Sequence, residues 1–124
     1  MRLLLDTHVY LGWRGGERDI GHAARLAIDT ASESYVSIAS LWELAIQVGL
    51  GRRGSVVPLI DDIARSGFFL LAVEPRHIAM VETLPLFHRD PFDRMLIAQA
   101  MVEELTLVSD DAWFPRYPVK LMRG

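Results

Sequence analysis

The sequence predicts an α/β fold, a short and mostly parallel central sheet with helices on both faces, and three observations carry that expectation. Leu3 to Leu5, Phe68 to Val73 and Thr106 to Val108 are short apolar runs, continuous rather than alternating, as strands buried on both faces require. Segments with apolar residues three and four positions apart lie between them, which suits crossover helices. The third is size: 124 residues that are 51% hydrophobic fit one domain, spanning 1–124, around one substantial core.

Composition excludes several function classes. Every apolar run is interrupted by Arg, Asp, Glu or Gly before it reaches membrane-spanning length, and MRLLLDTH lacks a signal-peptide core, so a cytoplasmic protein without membrane association is expected. Cysteine is absent, which rules out disulfides and thiolate metal sites and leaves carboxylates and histidines as strong ligands. The formal charge of −3 gives no whole-chain sign of nucleic-acid binding. Lys120 is the only lysine; arginine suits bidentate phosphate contacts, although a compositional bias gives the same count.

Leu3 to Leu5 predicts a strand that stops at Asp6. Thr7 to Trp13 then reads as a helix ended by Gly15-Gly16, and Asp6 either caps it or stands at a sheet edge where ligands bind. Gly21 to Glu33 reads as an amphipathic helix with Ala24, Ala27, Ile28 and Ala31 inward. Tyr35 to Ile38 predicts a strand, followed by a nearly all-apolar helix from about Ala39 to Leu50. Trp42 and Ile46 of that helix are expected in the core, with a dimer or partner contact as the alternative. Ser40 and Glu43 match a capping box; otherwise Glu43 projects over the same edge as Asp6.

Val56 to Ser66 predicts a helix with Val57, Ile60, Ile63 and Ala64 inward, before the strand Phe68 to Val73. Pro75 opens another helix to about Leu84, with His77 as a surface or capping residue in its first turn. His8, His22 and His88 are scattered, and no zinc site is expected from the histidines.

The stretch Leu84 to Ala100 organises the rest. Asp90 reads as an N-cap, Pro91 as the first helical residue and Asp93 as the third. From Asp93 the helical steps reach Leu96, Ile97 and Ala100, so Asp93 continues the buried face. The helix dipole favours an acid there, but an inward carboxylate needs a partner. This helix precedes the strand Thr106 to Val108, so its start shares an edge with Asp110 and Asp111 at that strand's end.

Asp6, Glu43, Asp93 and Asp111 are thus delivered to one edge of the sheet. Carboxylates gathered there raise one another's pKa unless a hard cation neutralises them, and oxygen ligation suits Mg²⁺ or Mn²⁺. A pair of such ions supports phosphodiester hydrolysis. Arg89 and Arg94 flank Asp93 and are candidates for substrate phosphates, or else solvated helix-end charges.

In this order, LLLDTHVYLGW, SYVSIASLWELAI, HRDPFDRMLIAQA and LTLVSDDAWF resemble the four acidic motifs of PIN-domain ribonucleases, close to the VapC toxins of bacterial toxin–antitoxin pairs. The resemblance spans essentially the whole chain. It implies a single PIN-like nuclease domain and a Mg²⁺- or Mn²⁺-dependent endoribonuclease whose metal-binding acids match Asp6, Glu43, Asp93 and Asp111. It also implies an RNA substrate, a cognate antitoxin that blocks the site, and a homodimer. The fourth motif departs from the family by offering both Asp110 and Asp111, and counting from Ser109 favours Asp111. In the third, Asp90 competes with Asp93, and the helix face favours Asp93. One alternative is a catalytically inactive PIN-like interaction module. Another is an aspartate-nucleophile phosphohydrolase built on Asp6, which lacks the second acid usual after the first strand.

Overall fold

The computed structural model describes residues 1–15 and 19–124. At its centre is β1 (Arg2–Leu5), whose three leucines are fully buried. Successive side chains of a strand face opposite sides of the sheet, so Leu3 and Leu5 enter one core while Leu4 enters the other. A central strand covered on both faces therefore needs an unbroken apolar run.

After β1 come α1 (Thr7–Trp13), α2 (His22–Thr30), β2 (Glu33–Ser37), α3 (Ile38–Gly49), α4 (Val57–Arg65) and β3 (Phe69–Leu71). They are followed by α5 (Pro75–Thr83), α6 (Pro91–Glu103), β4 (Thr106–Val108), a 3₁₀ turn (Phe114–Arg116) and β5 (Leu121–Met122). The strands lie in the order β3-β2-β1-β4-β5, and every pairing is parallel. Leu5 pairs with Val36 on one side and Val108 on the other, so the strand order reverses about β1. Open parallel sheets bind ligands beyond the carboxyl ends of their strands at such a reversal, which places the candidate edge at Asp6 and Ser109.

One core packs Leu3, Leu5 and Val36 against α1 to α4 through residues such as Val9, Ile28, Leu44 and Ile63. The other packs Leu4 and Leu107 against Leu96, Ile97 and Ala100 of α6 and against Phe114 and Tyr117. Among the described residues no helix is long and apolar enough to cross a membrane.

Four local expectations are corrected. The α2 helix stops at Thr30, because both the backbone amide and the hydroxyl of Ser32 bond to the Met1 carbonyl and Glu33 pairs with Arg2 in the sheet. Ser37, rather than Ser40, caps α3 through a 3.0 Å bond from the Ala39 amide, so the Ser40–Glu43 capping box does not form. In α4 the buried pair is Leu59 and Ile63, while Val57, Ile60 and Ala64 face solvent. The Phe68 to Val73 run contributes only three residues to β3, an edge strand. Helix α1 ends at Trp13 as expected and Gly15 follows with φ +90°; Gly16 lies outside the described residues.

The largest departure concerns α3. Leu41 and Leu44 are buried, but Trp42 is 64% exposed, and Ile38, Ile46 and Leu50 are exposed with it at four-residue spacing. The apolar helix thus serves the core with one stripe and leaves a second one open.

Candidate metal centre

Asp90 starts α6 by accepting amide bonds at Oδ1 from Phe92 (2.8 Å) and Asp93 (3.2 Å), and Pro91 follows as the first helical residue. One carboxylate is thereby engaged in capping. Asp93, in the same turn, points to the sheet edge, where its Oδ2 lies 2.8 Å from His88 Nε2. The same nitrogen is 3.2 Å from Asp111 Oδ2. His88, Asp93 and Asp111 form a trio whose ligand atoms lie within 4.8 Å of one another.

The strand ends are joined to this trio by Ser109. Its hydroxyl donates to Asp6 Oδ2 at 2.6 Å and accepts from the Asp111 amide at 3.0 Å, bridging the carboxyl ends of β1 and β4. Asp6 also accepts from the His8 amide, so it caps α1 and stands at the edge at once. Asp110, by contrast, is exposed and accepts from the Gly124 amide. Geometry therefore favours Asp111 of the two adjacent acids.

Glu43 enters from the second turn of α3, where the Thr7 hydroxyl bridges Ser40 Oγ (2.8 Å) and Glu43 Oε1 (3.3 Å). Glu43 and Asp6 lie outside the close trio, but their charges reach the rest of the edge. Burial raises the Glu43 pKa, with the charges of Asp90 and Asp6 adding, while the Thr7 bond opposes. Burial first, then the charges of Asp90, Asp6 and Asp111, with His88 opposing, together push Asp93 up to about 7. A carboxyl half-protonated near neutral pH marks an edge with more acids than its own donors satisfy.

His88 is the member of the trio that sequence reasoning left out. Its Nδ1 faces the Asp90 amide at 3.4 Å, which leaves Nε2 to carry the proton toward Asp93 and Asp111. Its own amide donates to the Tyr117 hydroxyl, which in turn donates to the Pro85 carbonyl. Proximity to Asp93 in sequence was the available signal, but a loop residue has no periodicity to set its direction.

Arg94 is likewise corrected. Only 9% exposed, its guanidinium donates to the carbonyls of Val81, Leu84, Pro85 and His88 and to the Tyr117 hydroxyl. It fastens the loop before α6 and is neither a solvated helix-end charge nor open to a phosphate, whereas Arg89 is exposed.

Fold and site together meet a known pattern, since the model of the PIN domain family matches residues 3–120. This chain belongs to the PIN domain family. Within that family it is 30% identical over 112 residues to Ribonuclease VapC22 of Mycobacterium tuberculosis, an alignment covering 88% of this chain and 86% of that protein. The PIN fold here superposes on VapBC2 from Rickettsia felis, solved bound to a promoter DNA fragment, with a TM-score of 0.74 at 18% identity, covering 99% of this chain and 98% of that one. It also superposes on FitAcB from Neisseria gonorrhoeae with a TM-score of 0.69 at 18% identity, covering 97% and 96% of the two chains. At such identity these two likenesses speak for the fold alone.

A second histidine–carboxylate group belongs to the PIN scaffold rather than to its edge. His77 is fully buried, contrary to a surface role, and does cap α5: Nδ1 accepts from the Glu74 amide at 3.0 Å. Its Nε2 lies 2.8 Å from Glu103 Oε2, and Arg76 bonds both Glu74 and Glu103. That guanidinium already supplies the positive charge, joining α5 to α6.

Proposed function

We propose that this chain is a VapC-like, cytoplasmic endoribonuclease that hydrolyses RNA phosphodiester bonds with Mg²⁺ or Mn²⁺ and is blocked by a cognate antitoxin. The observation that carries the reading is geometric: Asp93 and Asp111 converge with His88 so that their ligand atoms lie within 4.8 Å of one another, and Ser109 ties Asp6 to the same edge. Oxygen donors that repel one another at a sheet edge fit a hard divalent cation. Asp6, Glu43, Asp93 and Asp111 are the residues assigned to hold it. A hard cation held by these residues would supply polarisation of an attacking water and stabilisation of the leaving oxygen of a phosphodiester.

The chain's own residues prepare that edge. Ser109 fixes Asp6 relative to Asp111, Thr7 orients Glu43, and Asp90 completes the α6 cap so that Asp93 is free to ligate. His88 Nε2–H draws Asp93 and Asp111 together. The identity to Ribonuclease VapC22 supports the ribonuclease activity, and the VapBC and toxin–antitoxin assemblies among the structural neighbours support an antitoxin partner.

For the homodimer, the open stripe of Ile38, Trp42, Ile46 and Leu50 is the surface we assign. It continues into an apolar groove lined by Ala39, Val73, Phe92 and Met95, where Trp42 meets Phe92 edge to face at 5.1 Å. Trp42→Glu should turn a dimer into a monomer in sedimentation equilibrium; an unchanged mass would remove this assignment.

The decisive experiment is cleavage of a structured-RNA pool by antitoxin-free protein with Mg²⁺, Mn²⁺ or EDTA, beside Asp93→Asn. Discrete metal-dependent products that vanish in the variant are expected. Absence of any metal binding would favour the inactive interaction module instead.

A further inference from the structure

Beside the acids lies a surface that the nuclease reading leaves without a role. Trp113 is 45% exposed and Phe87 42% exposed, although both are large and apolar. Arg116 lies between them, its guanidinium carbon 5.5 Å from the Phe87 ring centre and 5.4 Å from that of Trp113. No carboxylate among the described residues pairs with Arg116. An exposed cation stacked on two π faces is a local positive spot on a chain of net charge −3.

The position of this stack is set by the candidate metal centre itself. The Trp113 amide donates to Asp111 Oδ1 at 2.8 Å, and its ring centre is 6.3 Å from that of His88. Phe87 immediately precedes His88 and packs edge to face on Tyr117 at 5.4 Å. Both segments that supply the aromatic rings therefore also supply members of the trio.

We propose that Trp113, with Arg116 and Phe87, is a stacking platform for an unpaired nucleobase of the RNA, next to the phosphate presented to the acids. The proposal rests on the ribonuclease reading and adds to it the side chains that receive a base beside the cleaved phosphate. Bases within a duplex already stack on each other and offer no face, whereas splayed bases stack on aromatic rings and guanidinium planes. Arg116 adds the charge that a flanking phosphate requires where carboxylates otherwise repel it. Because the Asp111 bond comes from the Trp113 backbone, truncating the ring leaves that carboxylate anchored.

The test measures anisotropy of a labelled single-stranded oligoribonucleotide, and of its duplex, with full-length Asp93→Asn protein in Mg²⁺, with and without Trp113→Ala or Trp113→Phe. Trp113→Ala should weaken single-strand binding about tenfold to a hundredfold. Trp113→Phe should restore most of it, and duplex binding should be weaker and indifferent to the substitution. In the otherwise unaltered protein, Trp113→Ala should raise KM for RNA with little change in kcat, while Mn²⁺ affinity read by electron paramagnetic resonance stays unchanged. Equal single-strand affinity with and without the ring overturns the platform, as does a parent protein that binds no single strand. A drop in Mn²⁺ affinity also overturns it, because the ring would then act through Asp111. Unchanged RNA affinity with a weakened protein complex would make the surface a protein contact and end the proposal. Ring-dependent RNA binding without metal-dependent cleavage would refute the nuclease reading and keep the platform; cleavage indifferent to the ring would do the reverse.

Discussion

Two histidines in this molecule stand among carboxylates, and they differ in what supplies the opposing charge. His77 meets Glu103 in the interior, with Glu74 close by and Arg76 bonded to both acids. His88 meets Asp93 and Asp111 at the carboxyl edge of the sheet, with Asp6 and Asp90 adding negative charge. In the first cluster an arginine closes the group into a tie between α5 and α6. In the second, His88 is the partner that Asp93 and Asp111 share among the described residues, while the neighbouring Arg94 is committed to backbone carbonyls. The same residue types therefore make an arginine-neutralised joint in one place and, in the other, an acidic edge with the donor set of the proposed metal centre.

The sharpest way to break this comparison is Asp93→Asn. Metal-dependent cleavage should fall by more than about a hundredfold, beyond what losing an outer-shell partner costs, while the protein stays folded by circular dichroism. His77→Ala should do the opposite. Removing a fully buried ring should lower stability by about 2–3 kcal/mol in urea denaturation and leave Mn²⁺ affinity unchanged. A His77 variant that lost metal binding would show the two clusters to be one system.

A smaller effect follows from pH. Folding raises Asp93 from an ordinary 3.8 to about 7, so between those values the folded protein holds a proton that the unfolded chain has released. Stability from this group is therefore full below 3.8 and is lost as pH rises toward 7 in metal-free protein. A cation must displace that proton, so calorimetric metal affinity should rise by up to about tenfold per pH unit below 7 and then level off. Asp93→Asn should flatten the stability trend; a wild type whose metal-free melting temperature climbs over the same window would contradict it. The smallest change is expected from Arg76→Gln, on an exposed side chain: an unfolding midpoint shifted less than by His77→Ala, and no change in cleavage.

Much of this architecture was legible in local patterns. Asp90, Pro91 and Asp93 announce the start of α6, and the α6 face predicts where Asp93 points, because capping and helical period act within one turn. The run Leu3 to Leu5 followed by Asp6, and Thr106 to Val108 followed by Ser109, locate strand ends because burial on both faces demands continuous apolar residues. Competing local signals were less dependable. Ser40 and Glu43 have the spacing of a capping box, yet Ser37 takes the cap because the chain leaves β2 one turn earlier.

The sequence by itself thus determined the alternation of strands and helices, and with it the delivery of Asp6, Asp93 and Asp111 to one edge, since each rests on interactions a few residues long. Only the tertiary structure decided what surrounds them. The His88 backbone is held by Tyr117, 29 positions away, and Arg94 is turned inward by five acceptors from α5, the loop after it and the tail. Trp42 is left outside because Leu41 and Leu44 already fill the core side of α3. Those placements depend on contacts between distant segments, for which no period or cap exists in the chain.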